Sequence, residues 1–200
     1  RIIPIKNCLI EDAQASKIIE TVTDLIKSFK IWVYNEDTCR GLMRHILIRK
    51  GMSTKQIMVV IVTAGSRFPH KNNFVAKLRS LHPEITTIVQ NINDQDTTMV
   101  LGEKNKVLYG TGYIEDVLCG LRFRISPSSF YQINSAQAQV LYKKAIQAAA
   151  LTGTETVIDA YCGIGTIGMA MAAKAKRVFG IELNSDAVRD ARANAKRNNI

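Results

Sequence analysis

Gly163, Gly165 and Gly168, in Val157-Ile158-Asp159-Ala160-Tyr161-Cys162-Gly163-Ile164-Gly165-Thr166-Ile167-Gly168, have the spacing G-x-G-x-x-G. Glycines so placed let a chain turn tightly from a strand into a helix and bring its backbone against a bound nucleotide. The spacing alone is common, and its context decides what it means. Here a strand is expected before it over 156–160 and a helix after it over 166–174, and a second strand over 177–182 ends in Glu182. Glu182 follows Gly163 by 19 residues, close to the ~20 at which a carboxylate accepts hydrogen bonds from vicinal ribose hydroxyls. A dinucleotide or S-adenosylmethionine would satisfy such a loop. Asp159 favours the second, because a carboxylate just ahead of the glycines repels a pyrophosphate and tolerates a cationic methionine end. The plainer alternative is an aspartate that stabilises the turn and meets no ligand.

The order strand, turn, helix, strand, helix, with the last helix over 185–197, predicts a βαβ unit with a parallel sheet. A preceding helix is expected from Asn134, an N-cap three residues ahead of Gln137, to about Ala150, with Val140, Leu141, Ala145 and Ala148 as its apolar stripe. In Leu121-Arg122-Phe123-Arg124-Ile125-Ser126 strict alternation puts three apolar side chains on one face and both arginines on the other. That arginine pair suits phosphate contacts, and it equally suits the wetted side of a half-buried strand. Further upstream, Ile18, Val22, Leu25 and Phe29 share a helix face, and two β-branched runs, 42–49 and 56–63, flank a connection of hairpin length and predict antiparallel pairing. A helix over 73–81 and strands over 85–92, 106–109 and 113–118 complete the elements. The expected fold class is α/β, with a β-rich mixed α+β central domain over 1–126 and the start of a doubly wound α/β domain over 127–200.

Two hundred residues, 46% of them hydrophobic, exclude a disordered chain. No apolar run approaches the ~18 residues of a membrane span, and Arg1 to Ala15 carries Glu11 and Asp12 and no small-residue cleavage site, so neither a membrane-spanning nor a secreted protein is expected. The net charge of +10 suits a polyanionic partner, but each fifty-residue quarter contributes only +2 or +3, so folding must assemble any positive face. Cys8, Cys39, Cys119 and Cys162 form no Cys-x-x-Cys pair and show no metal-ligand spacing. Reduced, mostly buried thiols in a cytoplasmic protein are the simplest account.

The block Phe123-Arg124-Ile125-Ser126-Pro127-Ser128-Ser129-Phe130-Tyr131-Gln132-Ile133-Asn134, followed by Asp159 to Thr166 and Gly180-Ile181-Glu182, resembles the S-adenosylmethionine-dependent RNA (uracil-5-)-methyltransferases of bacterial ribosomal and transfer RNA. Gly41 to Arg49 and Leu81-His82-Pro83 are similar to that family's central domain, so the resemblance covers nearly the whole chain. It is closer to the 23S ribosomal-RNA branch. It implies that the region after Ser126 begins a Rossmann-like methyltransferase domain, that the cofactor is S-adenosyl-L-methionine, and that the partner is RNA, ribosomal RNA first. It further implies that Gln132 contacts the cofactor, that Tyr161 and the backbone around Gly163 line its methionine end, that Glu182 holds its ribose, and that Thr166 is another contact. Ala160 and Ile167 stand where many relatives carry Leu and Phe. Without the family, Gln132 reads as a polar residue at the start of a helix.

Cys8 is similar to the last of four iron–sulfur ligands in part of the family, but the other three would lie upstream, and a cluster needs its full set, so no metal is expected in this chain. The resemblance also implies a chemistry in which a cysteine thiolate adds to carbon 6 of a uracil, carbon 5 takes the methyl group, and a carboxylate removes the carbon 5 proton. In relatives both groups lie beyond the second strand of this sheet, whereas this sequence ends at Asn198-Asn199-Ile200. The expectation is therefore a truncated methyltransferase with no catalytic residue of its own and no turnover in isolation. Cys162, within the turn, reads as a small packing residue. A non-catalytic RNA-binding module with a vestigial turn is the alternative, and a small-molecule methyltransferase is a third.

Overall fold

The computed structural model describes residues 10–200, so Cys8 lies outside the described residues. Their contacts gather into two compact units, one of residues 10–49 with Ile57–Gly112 and one of Lys50–Gln56 with Tyr113–Ile200.

The first unit is built on a mixed sheet in the order β1 (Met43–Lys50), β2 (Ile57–Thr63), β3 (Ile85–Ile92), β4 (Lys104–Tyr109). Neighbours β1 and β2 are joined by six residues, too few for a parallel crossover, and the connection is closed by Gly51 N–H donating to the Gln56 carbonyl, so the expected hairpin forms. Strand β3 runs parallel to β2 and antiparallel to β4. The parallel step requires a crossover, which α2 (Lys71–Leu81) supplies. Helix α1 (Ala13–Ser28) starts at Asp12, whose carboxylate accepts the N–H groups of Gln14 and Ala15. Its buried side chains Ile18, Val22 and Leu25 join Phe74 and Leu78 of α2 over Ile57, Val59, Ile61 and Ile88 of the sheet. The side chain of Arg44 in β1 is 1% exposed and donates to the carbonyls of Asn93, Gln95 and Thr97, beyond the end of β3, while pairing with Glu36.

In the second unit β5 (Ile114–Leu118) and β6 (Leu121–Ile125) form a hairpin around Cys119 and Gly120, both at positive φ, the geometry of a two-residue turn that follows the strand twist. Then come α3 (Ser135–Ala148), β7 (Thr156–Ala160), α4 (Thr166–Ala172), β8 (Arg177–Ile181) and α5 (Ser185–Arg197). Strands β7 and β8 pair in parallel, as the βαβ pattern predicts, and this is the opening of a Rossmann-like fold. The hairpin β5–β6 belongs to this unit, although it precedes Ser126–Pro127, where the pattern of elements changes.

Two sequence expectations are corrected. Asn134 does cap α3, accepting the Gln137 N–H, but the buried face carries Ser135, Ala138 and Tyr142, while Val140 and Leu141 are exposed. The helix is turned this way because Tyr142 bonds to Thr166 and the small Ala138 allows close approach. Nor are the thiols mostly buried, since Cys39 is exposed and Cys119 and Cys162 are only partly covered.

Candidate functional site

The turn between β7 and α4 is built by three residues at positive φ: Tyr161 at 60°, Gly163 at 55° and Gly165 at 83°. For Tyr161, which has a Cβ, this costs about 1–2 kcal/mol, and the neighbouring backbone holds it there. Cys162 N–H donates to the Ile181 carbonyl of β8 at 3.0 Å, and Gly165 N–H donates to the Cys162 carbonyl at 2.8 Å. The Tyr161 side chain is 93% exposed, a tyrosine presented outward from a strained position. A Cβ added to Gly163 would meet open space, so the backbone there is free for close approach by a ligand.

Glu182, the first residue after β8, closes this turn from the side. Its Oε2 accepts the Gly163 N–H at 2.9 Å and its Oε1 the Asn184 N–H at 2.8 Å. The Asn184 N–H, with that of Gly163, holds the carboxyl below its usual range despite partial burial, so at neutral pH it is an ionised, acceptor-only group. One of its roughly four lone-pair sites is committed to the turn at Gly163 and another to the Asn184 backbone at the start of α5.

Asp159, near the end of β7, directs Oδ2 to the Gly168 N–H at 2.9 Å. Gly168 is the third residue of α4, so Asp159 supplies the cap that Gly165, which lacks a side chain, does not. The third glycine of the motif is required by this contact, because a Cβ at Gly168 would lie 2.7 Å from that oxygen. Burial pushes the Asp159 carboxyl up, partly offset by the Gly168 N–H.

Of the residues expected to contact a cofactor, Tyr161, Gly163 and Glu182 are brought together, and Thr166 opens α4 with its hydroxyl 3.0 Å from Tyr142 of α3. Gln132 is half-buried two residues ahead of the α3 cap and makes no hydrogen bond among the described residues. Its segment is pinned on both sides. Tyr131 donates to the buried Asp116 at 3.2 Å, and Ser129 donates to the buried Asp190 at 2.8 Å. Neither acid stands out in the sequence, because each acquires its partner only through the fold.

The other candidates are occupied. Burial, and then the carboxylates of Asp159 and Glu182, raise the Cys162 thiol, which suits a packing residue over Gly180 and not a nucleophile. Arg124 lies 3.3 Å from the carboxylate of Asp190 and covers the Tyr113 ring at 4.1 Å. Arg122 is 3.8 Å from Glu115. The alternating arginines thus engage acids of their own unit.

A strand, a capped glycine turn and an acid at the end of the next strand define the first half of a Rossmann-like nucleoside-cofactor site. The tRNA (uracil-5-)-methyltransferase family model matches residues 76–200, and the chain belongs to that family. It is 43% identical to an uncharacterized RNA methyltransferase of Halalkalibacterium halodurans over 99% of this chain and 43% of that protein. It is 44% identical to one from Staphylococcus aureus over 97% of this chain and 43% of the relative. A solved structure, the Pyrococcus abyssi tRNA (uracil-54, C5)-methyltransferase in complex with S-adenosyl-L-homocysteine, superposes with a TM-score of 0.82 and 28% identity over all of this chain and 48% of that one. The chain therefore spans less than half the length of these relatives.

Proposed function

We propose that the protein methylates carbon 5 of a uridine in RNA, ribosomal RNA first, with S-adenosyl-L-methionine bound at the Gly163–Gly165 turn, and that it acts in the cytoplasm. The observation that carries the cofactor assignment is the Asp159–Gly168 bond. A dinucleotide places its pyrophosphate on the N–H groups at a helix N-terminus, and here an aspartate has already taken one of them and set a negative charge beside the rest. The same carboxylate is compatible with a sulfonium and an ammonium group. The Pyrococcus relative bound to S-adenosyl-L-homocysteine supports this choice.

When bound, the cofactor supplies an electrophilic methyl group on a positively charged sulfur. The chain's own residues bind and orient it: Glu182 accepts from the ribose hydroxyls, the open backbone of Gly163 and the Tyr161 ring line the methionine end, and Gln132 and Thr166 add polar contacts. By the boundary at Ser126–Pro127, residues 1–126 are assigned to a central domain that contacts RNA, although Lys50–Gln56 and Tyr113–Ser126 gather with the second unit, and 127–200 to the start of the methyltransferase domain. Burial raises the Cys119 and Cys162 thiols, which suits neither to attack, and the nucleophile that adds to carbon 6 and the base that removes the carbon 5 proton are assigned to parts of the protein outside this chain. The test is tritium release from RNA labelled at uridine carbon 5, with the full-length protein and S-adenosyl-L-methionine. Release from ribosomal RNA but not from transfer RNA is expected. Release from transfer RNA alone overturns the ribosomal assignment, and release from neither overturns the reaction.

A further inference from the structure

One face of α5 carries Asp186, Asp190, Asn194 and Asn198 at four-residue intervals, and each meets the segment Arg122–Ser129. Two of them act as a substitute strand. Arg122 N–H donates to Asn198 Oδ1 at 2.9 Å, and Asn198 Nδ2 donates back to the Arg122 carbonyl at 2.7 Å. Arg124 N–H donates to Asn194 Oδ1 at 2.7 Å, and Asn194 Nδ2 returns to the Arg124 carbonyl at 3.3 Å. The match is geometric, because four helical residues rise about 6 Å and two strand residues about 6.6 Å. Successive turns of α5 thus meet alternate residues along the free edge of β6.

The two asparagines differ in their remaining amide hydrogen. Asn198 spends it on its own helix, donating to the Asn194 carbonyl. Asn194, fully buried, gives it to the carbonyl of Ile164 at 3.3 Å, in the middle of the glycine turn. We propose that Asn194 is a positioning residue for the cofactor: one side-chain amide clamps the Gly163–Gly165 turn to the edge of β6, and so holds it in its binding shape before the cofactor arrives. This rests on the assignment of the cofactor to that turn. Glu182 fixes the turn at the Gly163 N–H and Asn194 fixes it at the carbonyl of the following residue, Ile164, so the Gly163–Ile164 peptide lies between two fixed points. Without the Asn194 donor, the Ile164 carbonyl keeps its buried position with no partner, and the turn must rearrange to reach water.

Asn198 is the internal control, since it makes the same strand contacts and does not touch the turn. In the full-length protein, Asn194→Asp keeps the acceptor for the Arg124 N–H and loses the donors to the Arg124 and Ile164 carbonyls, and Asn198→Asp keeps the acceptor for the Arg122 N–H and loses the donors to the Arg122 and Asn194 carbonyls. S-adenosyl-L-homocysteine affinity by calorimetry is expected to fall about tenfold in Asn194→Asp, with the cofactor KM rising in step and kcat little changed. Asn198→Asp should keep its affinity within about twofold even if both variants melt earlier. Equal losses in the two, or none in a folded Asn194→Asp, overturn the clamp. Where the charged variants do not fold, Asn194→Ser and Asn198→Ser serve the same comparison. Amide exchange on the wild type needs no variant at all: S-adenosyl-L-homocysteine should slow exchange at the Arg124 N–H more than at the Arg122 N–H, and equal effects overturn the proposal. A wild-type protein that binds no S-adenosyl-L-homocysteine removes the cofactor assignment itself and the clamp with it, an outcome separate from a clamp that fails while binding persists.

Discussion

Replacing Glu182 by glutamine removes one acceptor oxygen and sets an amide N–H₂ against either the Gly163 or the Asn184 N–H, both now within 2.9 Å of the carboxylate. Whichever way the amide settles, one charge-assisted bond to the backbone is lost, and with it the negative charge that would accept from a ribose hydroxyl. Hydrogen bonds to charged groups contribute about 1.5–3 kcal/mol each, but both backbone bonds sit at a partly exposed carboxylate, and solvent screening places the net effect near the bottom of that range. The expected loss is about 1.5 kcal/mol, roughly tenfold in S-adenosyl-L-homocysteine affinity. Isothermal calorimetry on the full-length protein measures it. A thermodynamic cycle sharpens it, because the 2′-deoxy analogue should bind more weakly than the parent ligand to the wild type and about equally to Glu182→Ala. If the 2′-hydroxyl contributes as much in Glu182→Ala as in the wild type, the ribose role is wrong, whatever the variant does to stability. The pH dependence has a defined sign. The Asn184 and Gly163 N–H groups depress this carboxyl in the folded chain, so its contribution is present above the unfolded carboxylate pKa and is lost as pH falls through the lower folded value. Ligand affinity should therefore be flat from neutrality down to about pH 5 and decline below the ordinary carboxylate range.

Arg124→Ala is expected to lower stability by about 2 kcal/mol, less than the 3–5 of fully buried pairs because the arginine is one-third exposed, while salt-dependent RNA affinity changes little. Chemical denaturation and a salt titration of RNA binding read the two effects, and a large RNA loss without destabilisation would restore Arg124 as a phosphate contact. Phe74→Ala removes a fully buried ring that packs, tilted, against Phe68 and Phe29 with centroids 5.1 and 5.7 Å away. A loss of about 3–5 kcal/mol is expected by urea unfolding, and a loss under 1 would contradict the core described. Glu155, bonded first by the Thr152 hydroxyl and backbone, should titrate at about 2 by carbon-detected NMR, so that its contribution to stability is present above the ordinary value of 4.5 and is lost as pH falls toward 2. Thr152→Val should return its titration toward 4.5, and an unchanged value would remove the hydroxyl as the cause.

Elements with a strong local signal were legible to within a residue or two. Strands β3 and β7 fall where β-branched runs predict them, and α3 begins at Asn134 because an asparagine with a polar residue three positions on is a local device. The buried face of α3 was not legible. Val140 and Leu141, two of its three branched aliphatic residues, are exposed, because Tyr142 is held by Thr166, 24 residues later in the chain. The glycine turn and the acid beside it were visible in the spacing of Gly163, Gly165, Gly168 and Glu182, whereas the Asn194 bonds to Arg124 and Ile164 were not, since those partners lie 70 and 30 residues away. A helix as polar as α5 reads as a solvated one until β6 is laid beside it.

The three glycines of the motif have different physical causes, and together they explain why this turn departs from a dinucleotide loop with the same spacing. Gly163 leaves its backbone open, and Gly165 takes a φ of 83° at the start of α4, both features that a dinucleotide loop shares. Gly168 is different. Its missing side chain is what lets Asp159 reach the N-terminus of α4, and in doing so it changes the ligand that terminus accepts. A helix end that carries an internal carboxylate has part of its positive potential neutralised before any ligand arrives, which disfavours a phosphate and removes the penalty for a cation nearby. On the proposed assignment, selectivity between two cofactors of similar adenosine chemistry comes from a strand residue four positions before the first glycine, since a ribose-binding Glu182 would serve either one. The pattern of glycines then suits a nucleoside in general, and Asp159 favours the cationic kind.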